Sequence, residues 1–296
     1  MYKNYDNWEL YEGFSCGSGT SQQEWIVNNE GQIGLFKQRK TENVTDDISE
    51  KIASDIANVI GLPCAKIELA VRNGRYGVVS YLINKSEDEV LSEGITYISR
   101  IFREYDRDNL IDSKTGEKYS LEMILKSVEG LKLEKGLFDI FIFDCLIGNS
   151  DRHHSNWATL TANDKTSVCP IYDNASSLCY SITEEKILQF KNDDNWKRAQ
   201  INSKSKSIIR INGKKVTHSD FVKYLYNNYY NETVDFVKKI NKNLLSKEID
   251  QIVDRYIPEL GKIKSNFIKE FLKEKRKLIL NIYKIADYEK GGNNYG

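Results

Sequence analysis

The segment GNSDRHHSN, Gly148 to Asn156, follows directly on the apolar run LFDIFIFDCLI, Leu137 to Ile147, and precedes PIYD at Pro170 to Asp173. The apolar run is long enough to be buried, either as a strand or as a helix. A cluster of Asn, Asp and His side chains that emerges from a buried element is typical of a catalytic site, because a rigid scaffold holds such loops in place. These two segments therefore decide how the rest of the chain is interpreted.

Three residues of these segments have the chemistry of a phosphoryl transferase. Asp151 can orient a hydroxyl group, while Asn156 and Asp173 offer the hard oxygen ligands that Mg²⁺ prefers. Phosphoryl transfer depends mainly on positioning and charge neutralisation, which such a set supplies. Asp, Asn and Ser clusters also mark ordinary turns, and His153 and His154 could lie on a loop surface. The combination with a buried element favours a phosphoryl-transfer site over an ordinary turn.

DRHHSN at Asp151 to Asn156, with YD at Tyr172 to Asp173, resembles the catalytic loop and metal-binding aspartate of the HipA-like kinases. These enzymes are bacterial relatives of protein kinases, and the phosphoinositide kinases are more distant relatives with a similar loop. The order Asp-Arg-His differs from the His-Arg-Asp of eukaryotic protein kinases. This difference favours a HipA-like or lipid-kinase-like enzyme.

The resemblance assigns roles to four residues of the two segments. Asp151 is the general base, or the group that orients the acceptor hydroxyl. His153 belongs to the catalytic loop, where its alternative role is to hold the loop through hydrogen bonds. Asn156 and Asp173 are the metal ligands.

The resemblance also implies an α+β, two-lobed protein-kinase-like fold. A small β-rich N-lobe is expected over residues 1–85 and a larger, mainly helical C-lobe over residues 86–290. Within the C-lobe, residues 86–135 are expected to be a mixed, mostly helical region. A strand over residues 167–171 is expected to end just before Asp173.

A glycine- and hydroxyl-rich loop precedes the first clear strand pattern of the N-lobe. Glycines let the backbone approach a ligand closely, and successive amide groups in such a loop can bind phosphate. A flexible linker is the default interpretation of this composition. By the resemblance, the loop is the phosphate-binding loop, formed by Gly17, Ser18, Gly19 and Thr20.

Lys37 ends the strand-like segment GLFK, at the position where HipA-like kinases carry the lysine that contacts the ATP phosphates. An ammonium group is a compact charge that suits this role. In isolation, the pattern equally fits a solvated lysine at a strand end, with Arg39 and Lys40 as equivalent neighbours. Lys37 is therefore assigned to the nucleotide site by the resemblance.

The residues from Asp46 to Ile60 repeat isoleucine and valine at three- and four-residue spacing, which predicts a helix. The sequence Gly61-Leu-Pro predicts its end. By the resemblance, Glu50 near the helix start pairs with Lys37. Other carboxylates of the helix are alternatives for that pairing, namely Asp46, Asp47 and Asp55.

A second strand pattern ends in VVSYLI, after which the chain turns polar. By the resemblance, this stretch is the hinge between the lobes, and its backbone binds adenine. The adenine-binding residues are then Tyr81, Leu82 and Ile83.

Composition narrows the function classes. The chain of 296 residues has 43 Lys and Arg against 43 Asp and Glu, so its formal net charge of zero disfavours direct DNA binding. Five cysteines without a CxxC pair argue against a cysteine-rich metal site and favour a reducing compartment. No signal peptide or membrane span is apparent, which predicts a cytoplasmic protein; secretion by a route without a cleaved signal stays open.

Together these features predict an ATP- and Mg²⁺-dependent kinase that phosphorylates Ser or Thr of a protein substrate and also itself. The alternatives are a lipid or small-molecule kinase and an inactive kinase-fold binding module. Because 36 residues precede Lys37, the chain resembles the short stand-alone HipA-like kinases that lack an N-terminal subdomain. An antitoxin partner therefore stays open.

Overall fold

The computed structural model describes residues 1–13, 22–84, 86 and 88–291. Its strands are β1 (Lys3–Asn4), β2 (Glu9–Leu10), β3 (Gln23–Val27), β4 (Ile33–Gln38), β5 (Ile67–Arg72), β6 (Arg75–Tyr81), β7 (Val90–Glu93), β8 (Tyr105–Asp106), β9 (Ile111–Asp112), β10 (Ala158–Ala162) and β11 (Lys165–Val168). Its helices are α1 (Asp46–Ile60), α2 (Gly94–Ile101), α3 (Leu121–Ser127), α4 (Glu134–Ile147), α5 (Glu184–Gln189), α6 (Asp194–Ile201), α7 (His218–Asn228), α8 (Tyr230–Asn243), α9 (Ser246–Asp254), α10 (Ile257–Leu260), α11 (Lys262–Tyr283) and α12 (Tyr288–Gly291).

A six-stranded sheet in the order β1-β5-β6-β4-β3-β2 forms the N-terminal part. Successive residues of a strand point to opposite faces. Phe36 therefore packs with Tyr5 and Trp8 on one face, while Val78 packs with the α1 core on the other. Lys37 lies directly opposite Val78 in the register of β4 and β6. The register thus places Lys37 on the face that α1 covers.

Helix α1 has the predicted bounds, Asp46–Ile60. Its apolar positions at Ile48, Ile52 and Ile56 are fully buried, as a three- and four-residue repeat requires. Gly61 ends the helix with a left-handed backbone, φ 81°, and its amide donates to the carbonyl groups of the last turn. The helix therefore begins and ends where its own sequence signals lie.

The apolar run is a helix, α4, and it packs against α7, α8 and α11 in the centre of the C-terminal part. Nearly every residue from Leu137 to Ile147 is buried. Gly148 ends the helix at φ 70°, and an added Cβ would lie 2.7 Å from the ring of Phe271. Only glycine fits this position, because the backbone is left-handed and the space is filled. The catalytic loop therefore begins at a sharp, buried turn.

One local expectation was incomplete and a second was wrong. Residues 86–135 also contain β7, which pairs antiparallel with β10. The strand expected over residues 167–171 ends at Val168, because Pro170 has no amide hydrogen to continue a ladder. Ile171 instead forms an isolated parallel bridge to Cys64, which joins the two parts of the chain.

The predicted α+β organisation is confirmed, with a β-rich N-terminal part and a mainly helical C-terminal part. The lobe boundary near residue 85, and with it the ranges 1–85 and 86–290, stays a prediction; β6 ends at Tyr81 and β7 begins at Val90. Across the described ranges, no helix is both long and apolar enough to span a bilayer.

Candidate active site

Lys37, Glu50 and Asp173 form a cluster of charges at the junction of β4, α1 and the segment after β11. The Nζ atom of Lys37 lies 3.7 Å from Oε1 of Glu50 and 3.4 Å from Oδ1 of Asp173. Glu50 is buried, with 1% of its side chain exposed, while the side chain of Asp173 is 35% exposed. The predicted lysine, its predicted partner and the predicted metal ligand thus meet in one place.

The carboxylates that competed with Glu50 have other partners. Asp47 pairs with Arg39, at 2.9 Å. Asp55 pairs with Lys51, at 2.7 Å, and accepts a hydrogen bond from Tyr256 of the C-terminal part. Arg39 is therefore not an equivalent of Lys37, because its guanidinium group pairs with Asp47, whereas Lys37 contacts Glu50 and Asp173.

Burial and the neighbouring charges oppose one another in this cluster. Burial raises the pKa of Glu50 to about 6, although Lys37 acts to lower it. Burial would lower the pKa of Lys37, but Asp173 and Glu50 hold it above its ordinary value. Burial would likewise raise the pKa of Asp173, and the charges of Lys37 and Arg152 outweigh this effect and lower it. Asp173 is therefore ionised at neutral pH, as its predicted role of metal ligand requires.

Arg152 ties the catalytic loop to the rest of the site. Its guanidinium group makes a bidentate ion pair with Asp144 of α4, at 2.9 and 2.7 Å. It also donates to the carbonyl groups of Asn156, at 2.6 Å, and of Tyr172, at 2.7 Å, and to Oδ1 of Asn174, at 2.6 Å. One buried side chain therefore joins the loop of Asn156 to the segment that carries Asp173.

Asp151 and Asn156 are close within the catalytic loop. The side-chain amide of Asn156 donates to the carbonyl of Asp151, at 2.7 Å, which leaves its oxygen as the acceptor end. Burial raises the pKa of the Asp151 carboxyl group, and His153 opposes the increase. A raised pKa makes a carboxylate a better proton acceptor. The environment of Asp151 thus suits the predicted role.

The two histidines of the loop differ. Nδ1 of His153 accepts a hydrogen bond from the amide of Ser155, at 3.2 Å, so His153 takes part in holding the loop. His154 is buried against Tyr119 and contacts the hydroxyl of Tyr105, at 3.1 Å. Burial lowers the pKa of His154 to about 4. The surface interpretation of His154 was therefore wrong, since its ring is part of the core.

Asp173 has a left-handed backbone, with φ 54°. Asp and Asn adopt this conformation more readily than most other residues. Asp173 lies two residues beyond the bridge between Ile171 and Cys64, and Arg152 holds the carbonyl of Tyr172 beside it. The position of its carboxylate is therefore set by tertiary contacts of the two residues that precede it.

The predicted hinge residues lie at the end of β6. The amide of Tyr81 donates to the carbonyl of Lys66, at 3.0 Å, and the amide of Leu82 donates to that of Ile33, at 3.0 Å. The hydroxyl of Tyr81 contacts that of Tyr5. An adenine base would thus have to use carbonyl groups of this segment or the amide of Ile83. The hinge assignment stays a prediction.

The phosphate-binding loop was predicted at Gly17, Ser18, Gly19 and Thr20, and these residues lie outside the described ranges. Its assignment stays a prediction.

Three residues of the site were not predicted from the sequence. Asp144 pairs with Arg152, Asn149 bonds Asp144 and the amide of Asp151, and Asn174 accepts from Arg152. A signal for Asp144 existed, because a carboxylate in the middle of a buried apolar run requires a partner. Asn149 and Asn174 had no such signal, since asparagine is common in loops.

The described residues fit a bound Mg²⁺ and a phosphate-bearing nucleotide. Oε1 of Glu50 is buried without a hydrogen-bond partner among them, and it faces the ammonium group of Lys37. Asp173 and Asn156 supply one carboxylate and one amide oxygen. Mg²⁺ is commonly held by one or two such groups, with phosphate oxygens and waters completing its shell. Lys37 would supply positive charge to the phosphates.

Comparison with known proteins identifies the family and the fold. The profile of the HipA-like C-terminal domain matches residues 7–223. The serine/threonine-protein kinase CtkA of Helicobacter pylori is 25% identical over 246 residues, which are 79% of this chain and 71% of CtkA. The crystal structure of the Helicobacter pylori proinflammatory kinase CtkA has a TM-score of 0.79 at 20% identity, and the match covers 96% of this chain and 97% of that one.

HipA of Shewanella oneidensis, solved with HipB and operator DNA, has a TM-score of 0.53 at 12% identity; the match covers 94% of this chain and 69% of that one. The predicted two-lobed kinase-like fold and the predicted class of enzyme, a kinase, are confirmed. Since the family profile spans both the sheet that carries Lys37 and the catalytic loop, the chain belongs to the HipA-like C-terminal domain family.

Proposed function

We propose that the chain transfers the γ-phosphoryl group of ATP to serine or threonine hydroxyl groups of a protein substrate, with Mg²⁺ as the metal ion. The observation that supports this most strongly is the contact of Lys37 with both Glu50 and Asp173. These three residues come from three separate parts of the chain. Their meeting beside the loop of Asp151 gives the set of charges that phosphoryl transfer requires.

Asp151 accepts the proton of the acceptor hydroxyl in this mechanism. The hydroxyl oxygen forms a bond to the γ-phosphorus, and the bond from that phosphorus to the bridging oxygen breaks. ADP leaves with the electron pair of the broken bond. The raised pKa of Asp151 supports its role as proton acceptor.

Lys37 binds the phosphates, and Glu50 holds the ammonium group of Lys37 in place. Asn156 and Asp173 would hold Mg²⁺, whose chemistry is to neutralise the negative charge of the phosphates. Arg152 keeps the backbone at Asn156 and at Tyr172 in register, because it donates to both carbonyl groups. Arg152 thereby holds Asn156 and Asp173, the two proposed metal ligands, at a fixed distance from one another.

We further propose that the chain phosphorylates itself. The candidate acceptors are hydroxyl groups of the glycine-rich loop, Ser18, Thr20 and Ser21, which lie outside the described ranges. Their position in sequence, directly before β3 and β4, supports the proposal because β4 carries Lys37. A protein partner of the antitoxin class stays a prediction, since the assembly with HipB belongs to the Shewanella protein.

The test is incubation of the purified protein with Mg²⁺ and labelled ATP, with and without an acceptor protein, followed by intact mass and phosphosite mapping. Asp173→Asn is the matched control, because Asn tolerates the left-handed backbone of this position and removes only the charge. We expect phosphate on serine or threonine that is absent in the variant.

Two other outcomes would contradict the proposal. Nucleotide binding without transfer to any protein would favour a lipid or small-molecule acceptor. Absence of both transfer and any nucleotide-induced thermal shift would favour an inactive binding module.

A further inference from the structure

A chain of buried hydrogen bonds joins helix α11 to the catalytic loop. The Nζ atom of Lys275 is 2.8 Å from Oγ of Ser205, and that oxygen is 2.8 Å from Nδ1 of His218. Nε2 of His218 is in turn 2.9 Å from the carbonyl oxygen of Asn149. Four residues that span more than a hundred positions of sequence therefore form one continuous path.

The chemistry of the groups determines the direction of every bond in this path. A carbonyl oxygen only accepts, so Nε2 of His218 carries the hydrogen that bonds Asn149. Burial holds the pKa of His218 well below its ordinary value, so the ring is neutral and Nδ1 accepts. The hydroxyl of Ser205 must then donate to Nδ1, and its oxygen accepts from the ammonium group of Lys275. All the donors point toward the catalytic loop.

Asn149 transmits this path to Asp151 because all its polar groups are engaged. Its amide nitrogen donates to the carbonyl of Asp144, at 2.8 Å, and its Nδ2 to Oδ1 of Asp144, at 3.0 Å. Its Oδ1 accepts from the amide of Asp151, at 3.1 Å. The remaining group, the carbonyl oxygen, is the one that His218 bonds. A shift of Asn149 therefore moves the backbone of Asp151.

The burial of Lys275 in this position is unfavourable for stability. Its side chain is buried, and burial lowers its pKa to about 8. Within the described part of the chain no carboxylate forms an ion pair with it; the groups that face it are Ser205, the ring of Phe271 and the thiols of Cys145 and Cys179. A buried charge without a counterion opposes folding, and an apolar side chain would cost less. The ammonium group of Lys275 offsets part of this unfavourable burial through its hydrogen bond to Ser205.

We propose that His218, Ser205 and Lys275 are positioning residues that hold Asn149, and through it the backbone of Asp151, in the geometry for phosphoryl transfer. This inference rests on the proposed kinase function. None of the three side chains is placed at the nucleotide site. Their effect should thus fall on turnover and not on nucleotide binding.

Two substitutions of His218 separate the two hydrogen bonds of its ring. The amide nitrogen of Gln reaches the position of Nε2 and can still donate to Asn149, whereas the Asn amide reaches only the position of Nδ1. We expect His218→Asn to lower kcat about ten- to thirty-fold, which is typical of losing a buried hydrogen bond, with KM for ATP within about twofold of wild type. His218→Gln should restore kcat to within about threefold.

Substitutions further along the path should have graded effects. Ser205→Ala should lower kcat about five-fold and Lys275→Met about threefold, because each is one bond further from Asn149. Lys273→Met is the matched control, since Lys273 lies on the same helix and pairs with Asp250 at the surface. It should leave kcat unchanged. If His218→Asn fails to fold, Ser205→Ala and Lys275→Met carry the test.

Hydrogen exchange of the segment 149–156 gives a readout that does not depend on activity. We expect faster exchange there in His218→Asn than in His218→Gln, with the α1 segment unchanged. A wild-type protein that transfers no phosphate would overturn the proposed function, and the exchange comparison would still decide the positioning role. Unchanged kcat and unchanged exchange in folded His218→Asn would overturn the inference itself.

Discussion

The cluster around Arg152 and the cluster around Lys37 are both buried and charged, but they are bonded to different degrees. All five N–H groups of the Arg152 guanidinium donate at 2.6 to 2.9 Å, two of them to Asp144. The ammonium group of Lys37 lies 3.4 and 3.7 Å from its two carboxylates, and Oε1 of Glu50 has no hydrogen-bond partner among the described residues. All hydrogen-bond donors of Arg152 are thus used, whereas the cluster of Lys37 can still form further hydrogen bonds.

The difference separates a scaffold from a site. A fully satisfied polar network in a low-dielectric interior is rigid and specifies one geometry. In a partly satisfied network, the desolvation of the buried charges is not fully offset by hydrogen bonds. Such networks are common where a ligand supplies further charge. We infer that Arg152 serves chiefly to hold the loop, while Lys37 serves to bind phosphate.

The largest effect is expected from Lys37→Met, which should lower kcat by about 10²- to 10³-fold because the positive group proposed to bind the ATP phosphates is lost. The fold should survive, since Glu50 already has a pKa of about 6 and, without Lys37 to lower it, can take up a proton at pH 7 at a cost of at most about 1.4 kcal/mol. Turnover and urea unfolding of the same preparation measure both quantities. Retained turnover would remove Lys37 from the site.

The next effect concerns stability. Arg152→Met should lower the free energy of unfolding by about 3 to 5 kcal/mol, because it leaves Asp144 buried without its counterion. Adding Asp144→Leu should recover much of this loss, since the unpaired charge is then gone. Chemical denaturation of the two single variants and the double variant gives the coupling free energy. A coupling free energy below about 1 kcal/mol would show that Arg152 and Asp144 are not strongly coupled. The proposed difference between the Arg152 cluster and the Lys37 cluster would then be lost.

Asp139, on helix α4 like Asp144, tests how a half-buried carboxylate without an ion-pair partner in the described ranges affects stability. Burial raises its pKa from 3.8 to about 6, and its Oδ1 has no hydrogen-bond partner among the described residues. Between pH 4 and 6 the unfolded chain loses this proton first, so ionisation favours unfolding and the native protein loses stability as pH rises through this window.

Asp139→Asn should therefore raise the free energy of unfolding at pH 7 by about 1 to 2 kcal/mol, after allowing for solvent screening of a half-buried group. The difference from wild type should close below pH 4, where both states are protonated. Thermal or urea unfolding across this range measures it. A constant difference at every pH would attribute the effect to packing and not to charge.

The smallest effect is expected from Lys277→Ala. Lys277 forms an ion pair with Glu274 on the surface of α11, at 3.6 Å, with both side chains about half exposed. Surface pairs of this type contribute little, so the free energy of unfolding should change by less than about 0.5 kcal/mol. A decrease of more than about 1 kcal/mol in the free energy of unfolding would mean that exposed ion pairs stabilise this protein as much as buried ones do.

Local sequence was sufficient for some elements and not for others. The bounds of α1 were predictable because its isoleucine spacing and Gly61 act within a few residues. β7 was not predictable, because its four residues are a strand only through pairing with β10, far along the chain. The sequence could not show which backbone groups of the predicted hinge are free to bind adenine. The structure shows that the amides of Tyr81 and Leu82 already donate to the carbonyl groups of Lys66 and Ile33.

The sequence by itself determined the family, the kinase-like fold and the identity of the charged residues, because each depends on residue type and short-range spacing. Tertiary structure alone decided that Glu50 and not Asp47 or Asp55 faces Lys37. It alone joined Arg152 to Asp144. The physical reason is that these contacts depend on how helices and strands pack, and no local pattern carries the distance between side chains that are far apart along the chain.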